Sequence, residues 1–210
     1  MIAGLYAIAD TDVVAASRLT AAVTAAIDGG ARVVQLRDKG ALGAPRFNIA
    51  HSLSDLCRAR NALFIVNDDV ELAYAVHAHG VHIGRDDASL AATRSRLGPE
   101  AIIGVSCYND LGRAQSAEAA GANYVAFGSF YPSATKPDAV RADTALLRQA
   151  RATLHGPIVA IGGITPENGG VLITAGASAL AVIQGVFGQP DPDIVAAAAR
   201  RFSNLFQIES

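Results

Sequence analysis

The sequence predicts an α/β fold, a compact (β/α)8 TIM barrel formed by a single domain over residues 1–210. The chain has 210 residues, and chains divide into several domains only beyond roughly 250 to 300 residues. Short apolar runs rich in β-branched residues alternate with longer alanine-rich segments of helical period, which is typical of parallel sheets covered by helices. Eight such strand and helix pairs are present, the number that closes a barrel.

The apolar runs predict strands over residues 5–9, 33–36, 63–66, 81–83, 102–105, 124–127, 158–161 and 180–183. The predicted helices cover residues 15–28, 45–60, 69–78, 88–97, 110–120, 144–153, 166–175 and 193–206. Most of these helices are followed by a glycine that can end a helix, namely Gly29, Gly30, Gly80, Gly98, Gly121, Gly156 and Gly176. An open doubly wound sheet is the competing architecture. It favours a glycine-rich loop after the first strand, where this chain has AlaAspThrAsp.

Composition excludes several classes of protein. Hydrophobic residues make up 51% of the chain, so it is not disordered, and the net charge of −2 provides no basic field for nucleic acid or for an anionic membrane. Any phosphate recognition must therefore come from a few placed groups. Cys57 and Cys107 are too few for a disulfide framework and are expected to be reduced thiols. With no apolar stretch long enough to span a bilayer, the protein is expected to be soluble and cytoplasmic.

Polar residues accumulate where the predicted strands end. In a barrel of this type the active site lies at the C-terminal ends of the strands, in the loops that lead to the helices. The polar residues at these ends are 35–39, 67–69, 84–87, 106, 133–136, 162–163 and 184–185. The segment 128–140, GSFYPSATKPDAV, contains two prolines and is predicted to form neither a helix nor a central strand.

Two acidic pairs follow adjacent strands, Asp68 with Asp69 and Asp86 with Asp87. One acid of each pair is expected to cap the following helix, because aspartate is a preferred N-cap residue. Four carboxylates on neighbouring strand ends would repel one another unless a cation lies between them. Mg²⁺ normally takes one or two carboxylates, keeps bound water and completes its shell with substrate phosphates. The pairs therefore predict a magnesium site.

Lysine usage indicates phosphate binding. Lys39 and Lys136 are the two lysines of the chain, and both lie in predicted strand-end loops, whereas surface positions use arginine. A compact ammonium group on a flexible stem suits a phosphate. Gly162 and Gly163, with Gln184 and Gly185, could cradle a monophosphate after strands seven and eight, or could form tight turns only. Thr165 is expected to cap the next helix, with Pro166 at its first position.

Other reactive residue types have simpler interpretations. His77, His79 and His82 are close in sequence, but a helix end and Gly80 separate them, so they are expected to have structural or surface roles. Cys107 has no histidine nearby to activate it, which argues against a nucleophile. Three aromatic residues could line a ring-binding pocket or pack in the core, namely Tyr108, Phe130 and Tyr131.

Eight motifs together resemble the thiamine phosphate synthase family along nearly the whole chain. In order, they are GLYAIAD, VQLRDK, IVNDD, VHIGRDD, GVSCYND, YVAFGSFYPSATKP, AIGGI and AVIQGVF. The resemblance implies a (β/α)8 barrel and a transferase that joins a hydroxymethylpyrimidine diphosphate to a thiazole phosphate. Thiamine phosphate and pyrophosphate would be the products, Mg²⁺ the cofactor and small phosphorylated molecules the partners.

The resemblance also assigns residues to roles. Those implied for the pyrimidine diphosphate are Gln35, Leu36, Arg37, Asp38, Lys39, Asn67, Ser106 and Lys136, of which Arg37, Lys39, Ser106 and Lys136 would be catalytic. Those implied for the thiazole phosphate are Ser133, Ala134, Thr135, Gly163, Ile183 and Gln184. Asp68 and Asp87 would hold Mg²⁺, which leaves Asp69 and Asp86 to cap helices. Catalysis would be electrostatic, with cationic groups neutralising the departing diphosphate and no general base required.

The chain departs from the family pattern at four positions, Ala9, Arg85, Cys107 and Gln184, where Thr, Gln, Thr and Ser respectively are more usual. Arg85 adds a positive charge beside the metal site or faces solvent, and Gln184 puts one side-chain contact to the thiazole phosphate in doubt. Two other functions fit the same fold, a thiazole tautomerase-like isomerase and a non-catalytic phosphate-binding barrel. The SATK loop and both acidic pairs favour the synthase over the isomerase.

Overall fold

The computed structural model describes residues 1–40, 43–85, 87–132 and 140–207. Eight strands form a closed barrel in the order β1 to β8, and each strand pairs in parallel with its neighbours, including β1 with β8. The predicted (β/α)8 barrel is thereby confirmed, and the open doubly wound sheet is excluded. The strands are β1 Gly4–Asp10, β2 Val33–Arg37, β3 Leu63–Asn67, β4 Gly80–Ile83, β5 Ile102–Tyr108, β6 Tyr124–Gly128, β7 Ile158–Ile161 and β8 Ala179–Val182.

Helices follow the strands and cover the outside of the barrel. Their bounds are α1 Leu19–Asp28, preceded by the 3-10 turn Ala16–Arg18, then α2 Ala44–Ala59, α3 Val70–Ala75, α4 Leu90–Leu97, α5 Leu111–Ala119, α6 Thr144–Thr153, α7 Pro166–Thr174, α8 Gln184–Phe187 and α9 Pro192–Asn204. The short helix α8 is absent from the sequence prediction. It follows β8 directly, with Ile183 as its N-cap residue, so β8 ends at Val182 and not at residue 183.

The core has two layers because successive side chains of a strand point to opposite faces. In β1, Leu5, Ala7 and Ala9 pack outward against the helices, whereas Tyr6 and Ile8 point into the barrel. The inner layer contains Ile2, Tyr6, Ile8, Val33, Ile65, Tyr124, Ala126, Val159, Ala179 and Ala181. Small residues on β6 and β8 leave part of the interior open toward the C-terminal rim.

The predicted N-cap residue is found for one of the two acidic pairs and not for the other. Asp69 caps α3 by accepting a hydrogen bond from the backbone N–H of Leu72, as predicted. The cap of α4 is Ser89, which accepts from the N–H of Ala92. The expectation that Asp86 or Asp87 caps this helix is wrong, because α4 begins at Leu90, too far along the chain for either acid to be its N-cap residue.

Two other local predictions also need correction. Gly80 does not end a helix but begins β4, and α3 ends at Ala75 with His77 in the left-handed region (φ 50°). Gly128 belongs to β6, so the predicted irregular segment begins one residue later, while residues 133–139 lie outside the described part of the chain. Thr165 and Pro166 take the predicted N-cap and first-turn positions of α7.

Within the described residues, no helix combines the length and the apolar character needed to cross a bilayer.

Gly104 on β5 makes room for a large side chain of the barrel interior. A Cβ atom at this position would lie 2.0 Å from Cζ and 2.4 Å from Oη of Tyr124, whose ring is fully buried. We expect Gly104→Ala to lower the free energy of unfolding by about 1 to 3 kcal/mol or more, because the ring has no space to move aside. Urea denaturation followed by circular dichroism measures the change.

Gly170→Ala in α7 is the matched control, since a Cβ atom there meets nothing within 4 Å. This variant should be unchanged or more stable by about 0.5 to 1 kcal/mol, the usual gain of alanine over glycine in a helix. Equal stability of the two variants would contradict the packing described for Tyr124.

Candidate active site

A cavity of about 600 Å³ opens at the C-terminal rim of the barrel. Residues of all eight strands or of the loops that follow them line the cavity, which therefore lies at the strand ends where an active site is expected. The predicted site residues that line the cavity are Gln35, Arg37, Asn67, Ser106, Gly163, Ile183 and Gln184. The fold thus brings together residues that lie up to 149 positions apart in the sequence (184 − 35).

A chain of polar side chains crosses the floor of the cavity. Gln35 Nε2 donates to the hydroxyl of Tyr6 at 2.8 Å, and the hydroxyls of Tyr6 and Tyr124 lie 2.8 Å apart. The Tyr124 hydroxyl is 3.0 Å from Nδ1 of His82, and Nε2 of His82 is 2.8 Å from Oγ of Ser106. Because these groups are deeply placed, the hydrogen bonds satisfy polar atoms that would otherwise be costly to bury.

Burial raises the pKa of both tyrosines well above the ordinary value, and this effect outweighs the hydrogen bonds that act on Tyr6 in the opposite direction. Both phenols are therefore protonated at neutral pH. The two phenols therefore contribute neutral hydrogen-bonding groups to the floor of the cavity.

Arg37 brings a positive charge to one side of the cavity. Its Nη1 contacts Oδ2 of Asp10 at 2.5 Å and Oδ2 of Asp12 at 3.6 Å, and the side chain of Asp10 is completely buried. Asp10 also accepts a hydrogen bond from the N–H of Asp12 through Oδ1. The buried carboxylate fixes the guanidinium at the rim, since an unpaired charge at that depth would cost several kcal/mol (about 3 to 5).

Three other residues of the predicted diphosphate segment do not line the cavity. Leu36 packs into the outer core between the barrel and the helices. Asp38 is buried, and its Oδ1 accepts from the hydroxyl of Thr11 and from the N–H of Gly40, both at 3.0 Å. Lys39 is exposed at the end of this segment. Their proposed contacts with substrate stay predictions from the family resemblance.

The predicted metal ligands both lie beside the end of β4. The backbone N–H of Asp68 donates to the carbonyl of His82 at 2.8 Å, and Oδ2 of Asp87 accepts from the N–H of Gly84 at 2.6 Å. Asp68 has a left-handed backbone (φ 63°), a conformation that aspartate adopts more readily than most residues other than glycine. Asp69 instead points to α2, where its Oδ2 lies 3.0 Å from Nη1 of Arg46.

The donor set fits a hard divalent ion. Asp68 and Asp87 supply carboxylate oxygens and no sulfur or imidazole ligand, and Mg²⁺ is commonly held by one or two carboxylates together with water and substrate phosphate. Within the described residues, no group of three or more His, Cys, Asp or Glu side chains could hold a metal by itself. A metal here would therefore depend on substrate oxygens for part of its coordination.

Backbone groups form the opposite side of the cavity. Gly162 and Gly163 both have positive φ values, 106° and 61°. A Cβ atom at Gly163 would lie 2.3 Å from the carbonyl oxygen of Pro132, so the loop after β7 lies directly against the loop after β6. The first N–H groups of a helix lack partners within the helix, and those of Gln184 and Gly185 begin α8 at this rim.

Four predicted site residues lie outside the described part of the chain, namely Ser133, Ala134, Thr135 and Lys136. The described residues on either side, Pro132 and Val140, both line the cavity. Asp86, expected to cap a helix, also lies outside the described residues.

Aromatic and histidine residues have mixed roles. Tyr108 lines the cavity, and the guanidinium of Arg85 lies 4.9 Å from the centre of its ring, so Arg85 covers this edge of the rim. Tyr131 instead donates its hydroxyl to the carbonyl of Asn168 at 3.2 Å. His79 accepts the backbone N–H of Phe64 through Nδ1, a structural role as expected. His82 lines the cavity, a position that the sequence did not predict for it.

The sequence analysis missed Tyr6, Tyr124 and His82 in the cavity and Asp10 behind it. A signal for the first three was available, because each alternates with apolar residues that face the helices. Val81 and Ile83 flank His82 and lie in the outer core, which places His82 on the inner face of β4. A polar side chain at such a position faces the barrel interior.

The chain resembles proteins of known activity. A family model described as thiamine monophosphate synthase matches residues 5–186. A thiamine-phosphate synthase of Nitrosococcus oceani is 53% identical over 200 residues, which cover 95% of this chain and 92% of that protein. One of Thioalkalivibrio sulfidiphilus is 50% identical, with 98% and 96% coverage. The solved thiamine phosphate pyrophosphorylase of Pyrococcus furiosus superposes with a TM-score of 0.87 at 33% identity, covering 98% of this chain and 96% of that one.

Cys107 is expected to be unreactive. Its thiol is buried, and burial raises its pKa to about 12, as it does for Cys57, so both are neutral thiols near pH 8. Iodoacetamide should alkylate neither cysteine in the folded protein and both in guanidinium chloride, as measured by mass spectrometry. Fast labelling of Cys107 alone would indicate an activated thiolate and reopen the nucleophile hypothesis.

Proposed function

We propose that this chain, which belongs to the thiamine monophosphate synthase family, joins a hydroxymethylpyrimidine diphosphate to a thiazole phosphate and releases pyrophosphate. The observation that carries the proposal is one cavity with a cationic side at Arg37 and an amide-rich side at residues 162–163 and 184–185. Two phosphorylated halves can therefore bind with their heterocycles facing each other. A volume of about 600 Å³ is within the range of pockets that enclose small ligands.

The reaction is a group transfer, and the chain is accordingly a transferase. The bond between the pyrimidine methylene carbon and the diphosphate oxygen breaks, and its electron pair leaves with pyrophosphate. The electron-rich aminopyrimidine stabilises the methylene cation that remains. The thiazole nitrogen then donates its lone pair to that carbon, which forms the thiazolium ion. No proton has to be removed from the reacting atoms, so the reaction needs no general base.

Arg37 is the described side chain best placed to accept the departing charge. It lines the cavity, and the buried carboxylate of Asp10 holds its guanidinium in a fixed orientation. A preorganised cation stabilises a leaving anion without the cost of reorientation during the reaction. Lys39 and Lys136 are proposed to add to this charge, on the strength of the family resemblance.

The neutral floor is proposed to bind the pyrimidine ring. Gln35, Asn67 and Ser106 offer amide and hydroxyl groups there, and none carries a charge that would compete with the cationic side for the diphosphate. Holding the ring on the floor directs its methylene carbon toward the incoming thiazole, which lowers the entropy cost of bringing the two halves together.

The thiazole phosphate is proposed to bind at the turn after β7 and the start of α8. Gly163 has a positive φ and permits close approach of the backbone, and the amides that begin α8 face the same rim. Gln184 is exposed, and its side chain points toward Gly188. A Cβ atom built on Gly188 would lie 3.1 Å from Oε1 of Gln184. The backbone is therefore the better candidate for the phosphate than this side chain.

Asp68 and Asp87 are proposed to hold Mg²⁺ together with diphosphate oxygens. The ion supplies Lewis-acid neutralisation of the leaving diphosphate when it is bound. Asp87 is positioned by the N–H of Gly84, and Asp68 by its backbone bond to His82. The cytoplasmic location remains a prediction from the sequence.

The two alternative functions have weaker support. An isomerase would not need a cationic side for a diphosphate, and a non-catalytic barrel would not need metal-binding acids such as Asp68 and Asp87. Curated relatives at about 50% identity over more than 90% of both chains carry the synthase name. These facts favour the synthase.

Pyrophosphate release tests the proposal directly. With Mg²⁺ and both phosphorylated halves at saturation, we expect multiple turnovers of pyrophosphate and an equal amount of thiamine phosphate. With the thiazole phosphate omitted, release should fall to slow hydrolysis, and with the pyrimidine diphosphate omitted it should stop. A coupled pyrophosphate assay with product chromatography measures both.

An equal rate of release without the thiazole phosphate would identify a diphosphate hydrolase instead. If no pyrophosphate is released with both substrates present, the proposed synthase function is wrong.

Adjacent acids provide a matched test of the metal site. Asp68→Asn should raise the Mg²⁺ concentration for half-maximal turnover by at least about tenfold, because a charged ligand becomes neutral. Asp69→Asn should change it little, since asparagine caps a helix as well as aspartate and both carboxylate oxygens of Asp69 already contact Leu72 or Arg46. Mn²⁺ binding followed by electron paramagnetic resonance gives an independent measure. Equal effects of the two changes would argue against Asp68 as a ligand.

A further inference from the structure

The polar chain on the cavity floor contains two tyrosines that the proposed reaction does not use. Tyr6 and Tyr124 are each only 1% exposed, and Gln35 and His82 are 4% and 9% exposed. They belong to four different strands, and Ser106 on β5 extends the chain to a fifth. The rings of His82 and Tyr124 are stacked, with centroids 5.5 Å apart, so both orientation and hydrogen bonding couple them.

The direction of the hydrogen bonds follows from the number of protons available. Gln35 donates through Nε2 to the hydroxyl of Tyr6. A phenol has one proton to donate, and the other partner of the Tyr6 hydroxyl is the hydroxyl of Tyr124. Each buried hydroxyl proton needs an acceptor, and the arrangement that gives both protons one has Tyr6 donating to Tyr124 and Tyr124 donating to Nδ1 of His82.

The same count fixes the imidazole and the serine. A neutral imidazole carries one N–H, so when Nδ1 accepts from Tyr124 the proton lies on Nε2. Nε2–H then donates to Oγ of Ser106 at 2.8 Å. Because Ser106 accepts from His82, its own hydroxyl proton is available to a ligand in the cavity.

We infer that Tyr6 and Tyr124 are positioning residues that hold His82 in the Nε2–H tautomer. They do so through a chain of hydrogen bonds in which each group donates to the next, from Gln35 to Ser106. The chain makes Ser106 a hydrogen-bond donor toward the cavity, so the ligand must present an acceptor atom there. In the context of the proposed function, on which this second step rests, that acceptor belongs to the pyrimidine diphosphate.

Two further observations support the inference. Burial raises the pKa of both tyrosines, which keeps the protons that the chain requires. Gly104 leaves the space that the Tyr124 hydroxyl occupies, since a Cβ atom there would lie 2.4 Å from Oη. The absence of a side chain at Gly104 on β5 thus leaves room for this hydroxyl between β1 and β4.

The tautomer of His82 can be observed directly in the full-length protein without any ligand. Long-range ¹H–¹⁵N correlation spectra of ¹⁵N-histidine-labelled protein distinguish Nε2–H from Nδ1–H imidazole, and His82→Gln assigns the signals. At a pH of about 8, above the usual histidine pKa, we expect His82 in the Nε2–H form. His79 is an internal reference, because a backbone N–H holds its Nδ1 as an acceptor independently of the tyrosines. An Nδ1–H form of His82 in the unaltered protein would overturn the inference.

Tyr124→Phe removes the donor to Nδ1 while keeping the ring. We expect the Nε2–H population of His82 to fall to a mixture of tautomers, with the His79 signals unchanged as evidence that the barrel is intact. An unchanged His82 tautomer in a folded Tyr124→Phe protein would overturn the inference. If that variant does not fold, Tyr6→Phe provides the kinetic test, and the tautomer in the unaltered protein still decides the direction of the chain.

Kinetics test the consequence for binding. Tyr6→Phe and Tyr124→Phe should each lower kcat/KM for the pyrimidine diphosphate by about tenfold, the usual effect of disturbing one hydrogen bond in a buried network, and leave KM for the thiazole phosphate unchanged. Tyr74→Phe, which removes the hydroxyl of a tyrosine that is 48% exposed, is the control and should retain full activity. Equal losses for both substrates would indicate a purely structural role. If the unaltered protein has no synthase activity, the proposed function fails, while the spectra decide the hydrogen-bond direction separately.

Discussion

The closure of eight parallel strands is the constraint on which the rest of the molecule depends. Closure directs every second side chain into a space that water reaches only from the rim, and it brings all eight C-terminal strand ends to that rim. Apolar side chains fill the lower part of the interior, and polar ones begin where the cavity opens. A buried polar group without a partner costs about 1 to 3 kcal/mol, so polar residues inside the barrel must satisfy one another. The chain from Gln35 to Ser106 meets this requirement across five strands.

The same constraint explains how Arg37 is held at the rim. Register pairs Asp10 on β1 with Arg37 on β2, so the last residues of two neighbouring strands face each other. Neither charge is expected to be stabilising by itself at this depth, but together they form an ion pair whose guanidinium still reaches the cavity. The N–H groups of Asp12, Val13 and Val14 bind the side chain or carbonyl of Asp10, which ties the pair to the first loop. The orientation of the cation is therefore set by the sheet, before any substrate binds.

Much of the fold and part of the site could be predicted from sequence because they depend on local pattern. Strands of four to seven residues with β-branched runs are visible by themselves, and the polar residues after them mark the rim. The missed features depend on distant contacts. Tyr6 and Tyr124 meet across 118 positions, and no local pattern indicates that their hydroxyls face each other. Helix α8 is only four residues long and has too little periodicity to be recognised. The cap of α4 is Ser89 and not an aspartate, because the loop before α4 is longer than the position of the acidic pair suggested.

The cavity separates two tasks that would interfere if they shared the same groups. Binding an aminopyrimidine needs neutral donors and acceptors at fixed positions, whereas expelling a diphosphate needs positive charge. A cation on the floor would oppose the positive charge that develops on the methylene carbon, at a cost that grows in a low-dielectric interior. Neutral tyrosines on the floor avoid that repulsion, while the positive charge of Arg37 lies at the rim. In the proposed binding mode, with the pyrimidine on the floor, the division between this floor and the charged rim favours departure of the anion outward.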